Sequence, residues 1–159
     1  MQDKLVLITG ANSGIGKETT RALAHQGVSL VMACRSRSKA EPVRQAIQKE
    51  SGNTQIEVMS LDLASLASIR EFAGQFLEKY QQLHVLINNA GTFSMRRQET
   101  LDGFELTMGV NHLGTFLLTR LLLPVLQDTP ESRIVNVSSN VHYQGEIDLD
   151  DLQLERRRY

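Results

Sequence analysis

The sequence predicts an α/β fold in which a doubly wound parallel sheet is covered by helices on both faces. Three observations support this class. Short apolar runs rich in β-branched residues alternate with longer stretches of helical period, the connections are short, and no repeat or low-complexity linker interrupts them. A strand buried on both faces is typically one continuous apolar run, and a βαβ order makes consecutive strands parallel.

Five strands and four helices follow in chain order. The strands are predicted at residues 4–9, 28–34, 55–61, 84–88 and 133–138. The helices are predicted at residues 17–26, where Gly27 suits the C-terminal cap, and at residues 40–50, 65–80 and 102–127. The last segment, residues 145–159, has no clear period and is predicted to be an exposed excursion.

Length and composition fit a single domain with no broad basic surface. The chain has 159 residues, and 17 basic against 18 acidic residues argue against a nucleic-acid partner. Its one cysteine, Cys34, gives no sign of an oxidising compartment, and no metal site is predicted. The N-terminal residues have no signal-peptide pattern, and the apolar stretch 110–126 is shorter than the roughly 20 residues that span a bilayer. We therefore expect a cytoplasmic location and no membrane partner.

A glycine-rich turn, TGANSGIG at residues 9–16, joins the first strand to the first helix. Glycine is needed where φ is positive or where a phosphate approaches the backbone, and a helix N-terminus attracts a pyrophosphate. A Walker loop is excluded, because five residues separate Gly10 from Gly16 and Glu18 follows Lys17; the GxGxxG pattern fails at Thr19. The turn predicts a nucleotide site, and a tight turn without a ligand is the alternative. The candidate contacts are Gly10, Asn12, Ser13, Gly14, Ile15 and Gly16.

The turn fits TGxxxGxG, the glycine motif of the short-chain dehydrogenase/reductase family, which the sequence resembles over its whole length. NNAG follows at residues 88–91 and Asp62-Leu63 ends the third strand, while ANSGIGKET, MACRS and SRIVNVSS resemble the retinol-dehydrogenase-like branch, which includes WW-domain-containing oxidoreductases. The resemblance implies that Asp62 and Leu63 contact the adenine side of a dinucleotide. It also implies that Asn89 braces the sheet and that Ala90 and Gly91 contact the cofactor.

The resemblance implies a Rossmann-type sheet of strand order 3-2-1-4-5. The family normally continues with two more strands, so the C-terminal strands are expected to be absent. We therefore interpret residues 1–159 as one NADP-binding domain truncated before the catalytic Tyr-x-x-x-Lys helix.

The end of the second strand predicts which nicotinamide cofactor binds. In NAD-binding folds a carboxylate there binds the ribose 2′-hydroxyl. Here Cys34 holds that position and Arg35 follows. A carboxylate would repel the 2′-phosphate of NADP, whereas a guanidinium binds it through charge-assisted hydrogen bonds. Arg37 and Lys39 are expected to add positive charge, and the alternative is that residues 35–39 are a solvated basic loop. The sequence therefore predicts NADP(H).

Two residues match the family's catalytic positions. Ser139, at the end of the fifth strand, matches the serine that orients the substrate; the alternative is that it only caps the strand end. Asn111 matches the asparagine that holds a water relay; the alternative is a buried amide in a helix kink. No Tyr-x-x-x-Lys occurs in the chain. In the branch that the sequence resembles, the catalytic tyrosine comes several residues later than Tyr159, so we interpret Tyr159 as lying just upstream of the catalytic helix. The alternative is that Tyr159 is itself the active tyrosine, after an unusually short loop. We expect negligible carbonyl reductase turnover from these 159 residues alone.

The resulting hypothesis is an NADP-dependent oxidoreductase that interconverts a small-molecule carbonyl and an alcohol. A non-catalytic dinucleotide-binding module is the alternative, and a helix-mediated interaction domain is a third reading of the apolar residues 116–126. In the family that the sequence resembles, this helix commonly packs against the same helix of a second subunit. A homodimer through residues 110–126 is therefore also expected.

Overall fold

A computed structural model of the chain describes residues 4–156 and residue 159. The described residues form a five-stranded sheet in which every neighbouring pair is parallel and the order is β3-β2-β1-β4-β5. This confirms the predicted fold class and strand order. The strands are β1 Leu5–Thr9, β2 Ser29–Cys34, β3 Ile56–Ser60, β4 Val85–Asn88 and β5 Arg133–Asn136.

Helices cover both faces of this sheet. They are α1 Gly14–Ala24, α2 Arg37–Ser51, α3 Leu66–Lys79 and α4 Leu106–Asp128. Alternate side chains of each central strand enter opposite cores. In β1, Leu7 joins one cluster with the α3 and α4 side chains, whereas Val6 and Ile8 join the other with those of α1 and α2. Burial on both faces explains why β1 and β2 are nearly continuous apolar runs.

Two helices begin earlier than the sequence predicts, and a serine cap accounts for one of these starts. The Ser36 Oγ atom accepts a hydrogen bond from the Lys39 N–H, so α2 begins at Arg37 rather than at Ala40. The alternative of a solvated basic loop at residues 35–39 is therefore wrong beyond Ser36, because Arg37 and Lys39 lie in the first turn of a helix. The first helix also begins earlier than predicted, at Gly14, so the glycine turn continues directly into α1.

The helix predicted at residues 102–127 begins later and is irregular. Its first turn starts at Leu106, and Gly109–Gly114 form a π-helical turn before the regular helix resumes. Close packing accompanies this turn. A Cβ atom at Gly114 would collide with the Leu63 carbonyl, and one at Gly109 would collide with the Thr100 side chain. The two glycines therefore let α4 approach the segments after β3 and β4 closely.

The fifth strand and the segment after it also differ from the prediction. All four residues of β5 are exposed, and the strand ends at Asn136, two residues before the predicted end. A short 3₁₀ helix, Asn140–Gln144, follows. The prediction that residues 145–159 form an exposed excursion is only partly right, because Asp151 is buried and the segment contacts the start of α4.

In the described part of the chain, α4 is one helix that could cross a membrane by its length and composition. It has 23 residues, and about a third of its most apolar 18-residue stretch is buried within the protein. Core helices of soluble proteins meet the same criteria, so this finding is weak evidence for a membrane span.

Candidate dinucleotide site

A cleft lies over the carboxyl ends of the strands, where ligands bind in open parallel sheets. It consists of two cavities of about 240 Å³ and about 790 Å³ that share Ala90 and Gly91. The smaller cavity also contains Gly10, Asn12, Arg35, Asp62 and Leu63. The larger one also contains Ile15, Asn89, Asn111 and Ser139. The fold therefore brings eleven of the fourteen predicted site residues to one cleft.

The other three predicted contacts, Ser13, Gly14 and Gly16, lie in the turn that connects the two cavities. Gly10 and Gly14 have φ values of 66° and 51°, which favour glycine. Gly16 is buried, and a Cβ atom there would collide with the Asn89 side chain and the Gly10 carbonyl. Glycine is required at position 16 because α1 begins in direct contact with the ends of β1 and β4.

A hydroxyl group at the end of β1 organises the segment after β4. The Thr9 Oγ atom accepts hydrogen bonds from the Asn89 N–H (3.0 Å) and the Ala90 N–H (2.9 Å). The Asn89 side-chain amide in turn donates to the Thr9 carbonyl at 2.8 Å. These bonds join β4 to the glycine turn, which is the bracing expected of Asn89. Thr9 is the first residue of the glycine motif, but this role of its side chain was not predicted from the sequence.

The smaller cavity holds the residues that were predicted to face the adenosine side. Asp62 already serves the turn after β3, because its Oδ1 atom accepts a hydrogen bond from the Ala64 N–H at 2.9 Å. Its contact with adenine therefore stays a prediction. Arg35 is exposed and lines this cavity, whereas Arg37 lines a separate groove beside β3 together with Glu57. Of these two arginines, Arg35 is thus the one that lies at the cleft.

Cys34 lies beneath the glycine turn and is almost fully buried. Burial raises the pKa of its thiol to about 11, even though backbone N–H groups of Ala11 and Asn12 favour the thiolate. The thiol therefore remains neutral at physiological pH. The end of β2 presents no negative charge to the cleft at the position where NAD-binding folds carry a carboxylate.

Asn111 lies in the π-helical turn and holds the loop after β4. Its Oδ1 atom accepts a hydrogen bond from the Thr92 N–H (2.8 Å), and its Nδ2 atom donates to the Thr92 carbonyl (2.9 Å). The alternative prediction for Asn111 was a buried amide in a helix kink. Asn111 is exposed, so the predicted burial is wrong, but the helix is irregular at this point as predicted. Since both side-chain atoms are engaged, any contact of Asn111 with a water relay stays a prediction.

Ser139 lies three residues beyond the end of β5 and lines the larger cavity. Its Oγ atom accepts a hydrogen bond from the Val141 N–H at 3.2 Å and so caps the 3₁₀ helix that follows β5. This agrees with the alternative prediction, in which Ser139 is a capping residue. The hydroxyl hydrogen of a capping serine remains available for donation. The geometry is therefore compatible with a cap and with a donor to a substrate oxygen.

The floor of the larger cavity contains a polar network that was not predicted from the sequence. Asn88 and Asn136 pair across β4 and β5, with the Asn88 Nδ2 atom donating to the Asn136 Oδ1 atom at 2.8 Å and to the Thr119 hydroxyl at 3.1 Å. The buried Asn88 Oδ1 atom accepts no hydrogen bond from any residue in the described part of the chain. A donor on this floor would remove the cost of that unsatisfied oxygen.

The arrangement fits a nicotinamide dinucleotide. The glycine turn leads into the α1 N-terminus and leaves open space at Gly14, which suits a pyrophosphate. The flanking cavities suit an adenosine with Arg35 near its ribose, and a nicotinamide beside Ser139. Within residues 4–156 and 159, no group of three or more His, Cys, Asp or Glu side chains is placed to hold a metal ion.

Residues 4–149 match the family model described as short chain dehydrogenase, and the chain belongs to this family. Within it, the chain is similar to retinol dehydrogenases. It is 52% identical to human retinol dehydrogenase 11 over 96% of this chain and 48% of the relative. It is 48% identical to human retinol dehydrogenase 13 over 98% of this chain and 47% of that relative. The chain thus spans about half the length of the curated relatives it matches.

Solved structures show the same fold. A protein from Mycobacterium paratuberculosis superposes with a TM-score of 0.84 at 43% identity, covering 98% of this chain and 53% of the other. A short chain dehydrogenase from Escherichia coli CFT073, solved in complex with NADPH, superposes with a TM-score of 0.80 at 30% identity. That alignment covers 92% of this chain and 62% of the other. These matches support a nicotinamide dinucleotide as the cofactor.

Proposed function

We propose that the protein is an NADP(H)-dependent oxidoreductase that transfers a hydride between nicotinamide and a carbonyl or alcohol. One observation carries the choice of cofactor: Arg35 lines the smaller cavity directly after the neutral, buried Cys34. A guanidinium there attracts a 2′-phosphate, and no carboxylate at position 34 repels it. The NADPH complex of a structural relative adds support.

The chain's own residues have distinct parts in this chemistry. The bound nicotinamide supplies or accepts the hydride. The glycine turn and the α1 N-terminus bind the pyrophosphate, and Arg35 binds the 2′-phosphate. The Ser139 hydroxyl donates a hydrogen bond to the substrate oxygen, where negative charge develops during reduction. Asn111 keeps the loop after β4 in place through Thr92, and we expect the proton donor to be a tyrosine beyond residue 159.

The proposed substrate is a small apolar alcohol or its carbonyl form. The names of the similar human proteins make retinol and retinal the first compounds to assay. A cytoplasmic location and a homodimer through residues 110–126 stay predictions. The alternative, a non-catalytic NADP-binding module, is distinguished by whether the full protein oxidises NADPH when a carbonyl substrate is added.

Arg35→Ala tests the cofactor assignment, and Arg37→Ala is its matched control. Loss of a charge-assisted pair should raise the KM for NADPH about 10- to 100-fold and change the KM for NADH little. Arg37→Ala removes the same charge from the groove beside β3, so both KM values should change less than about threefold. The measurement is initial-rate kinetics of the full protein with each cofactor. Equal losses for NADPH and NADH in Arg35→Ala would contradict the assignment.

A further inference from the structure

Glu105 is a buried carboxylate at the start of α4, with only 2% of its surface exposed. Its Oε1 atom accepts a hydrogen bond from the Thr107 N–H at 2.7 Å, and its Oε2 atom accepts one from the Met108 N–H at 2.6 Å. Glu105 therefore caps two N–H groups that have no partner inside the helix, and its negative charge faces the positive end of the helix dipole.

A distant part of the chain completes this cap. The Tyr159 hydroxyl donates a hydrogen bond to the Glu105 Oε1 atom at 2.9 Å. The Gln153 Oε1 atom accepts one from the Glu105 N–H at 2.7 Å. Arg97 holds the same segment, because its Nε atom donates to the Gln153 carbonyl at 3.0 Å. Two residues that lie 48 and 54 positions further along the chain thus bind one capping residue.

These donors keep the buried carboxylate ionised. Burial raises the pKa of Glu105, but the hydrogen bonds from Met108, Thr107 and Tyr159 lower it more, so the pKa lies below its ordinary value. Removing the Tyr159 hydroxyl would leave a buried charge with one donor fewer. An incompletely compensated buried charge is costly, so the start of α4 would relax away from its present position.

The start of α4 also forms a wall of the dinucleotide cleft. Leu106 and Val110 line the smaller cavity together with Arg35 and Asp62, and Asn111 follows in the larger one. We propose that Glu105 is a positioning residue for cofactor binding: its carboxylate joins Gln153 and Tyr159 to the start of α4 and so fixes this wall of the adenosine cavity. The proposal rests on the function proposed above.

Tyr159→Phe in the full protein tests the proposal, because it removes one hydroxyl group outside the cleft. The dissociation constant for NADPH, measured by its fluorescence, should rise about three- to tenfold. Glu105→Gln should raise it further, since a glutamine side chain brings an N–H donor against the N–H groups of α4. Tyr80→Phe is the matched control: it removes a tyrosine–glutamate hydrogen bond of 2.5 Å to Glu57 on the edge strand β3, and neither residue lines the two cavities. That variant should bind NADPH as the wild type does.

Hydrogen exchange separates positioning from a purely structural role. Coupling between two sites is reciprocal, so a contact that strengthens cofactor binding must itself be strengthened by the cofactor. NADPH should slow exchange at the Thr107 and Met108 amides and at the Glu155 amide, which bonds to the Asp151 carboxylate. In Tyr159→Phe the slowing at Glu155 should disappear. A role in stability alone would lower the melting temperature and leave the NADPH dissociation constant and the exchange pattern unchanged, and that result would overturn the proposal.

The wild-type titration distinguishes the two possible failures. If the wild-type protein binds neither NADPH nor NADH, the proposed function fails and the positioning role fails with it. If the wild type binds NADPH but Tyr159→Phe and Glu105→Gln bind it equally well, only the positioning role is overturned.

Discussion

The two halves of the cleft are built differently. The smaller cavity adjoins β2, in which five of six residues are buried, and it is closed by the start of α4. The larger cavity adjoins β5, in which all four residues are exposed, and Phe116 on α4 is 59% exposed beside it. The half with the smaller cavity is therefore fixed by buried strands and glycine contacts. The half with the candidate catalytic residues is open on one side.

This difference predicts that substitutions in the two halves have separable effects. In the open half, Ser139→Ala should lower kcat about 100-fold in the full protein, because a donor to the developing oxyanion is lost. The dissociation constant for NADPH should stay within about threefold of the wild type, since Ser139 lies away from the adenosine cavity. Stopped-flow reduction of a carbonyl substrate and a fluorescence titration measure the two quantities. A Ser139→Ala protein with unchanged kcat would remove Ser139 from the catalytic residues.

At the glycine turn between the two halves, Gly16→Ala should weaken cofactor binding and stability together. The new methyl group would collide with the Asn89 amide and the Gly10 carbonyl, and overpacking of this kind costs about 1–3 kcal/mol. NADPH affinity should fall at least about tenfold, because the start of α1 must move. Urea unfolding and cofactor titration check both effects.

Gly74→Ala is the control for Gly16→Ala. Gly74 lies on the exposed side of α3, and a Cβ atom there meets nothing within 4 Å. The substitution should stabilise the protein by about 0.5–1 kcal/mol through helix propensity and leave NADPH binding unchanged. If both alanine substitutions destabilised the protein equally, the close contact at Gly16 would not be the cause.

Sequence reasoning worked best where local chemistry decides the structure. The strands of the doubly wound sheet are apolar runs, and the glycine turn has a motif because Gly10 and Gly14 need positive φ values and Gly16 needs the absence of a Cβ atom. Serine caps were weaker signals. Ser36 and Ser65 both cap helices. The start of α3, after Ser65, was predicted to within one residue, whereas the start of α2, after Ser36, was predicted three residues too late.

Features that depend on tertiary contacts could not be predicted. The π-helical turn at Gly109–Gly114 forms where α4 packs against the backbone of Leu63, and nothing in the local period of α4 indicates it. The contact of Tyr159 with Glu105 joins residues 54 positions apart, in a segment without regular period. The separate position of Arg37 follows from the early start of α2. In each case a distant part of the chain determines the position of a nearby side chain.

The central claim is that the dinucleotide lies across both cavities with its pyrophosphate at the glycine turn. Hydrogen exchange of the full protein with and without saturating NADPH tests this claim most directly. The amides of residues 10–16, 61–63 and 90–92 should exchange more slowly with NADPH, whereas those of residues 53–56, at the opposite end of the sheet, should not change. Binding of NADPH without protection of residues 10–16 would contradict the account.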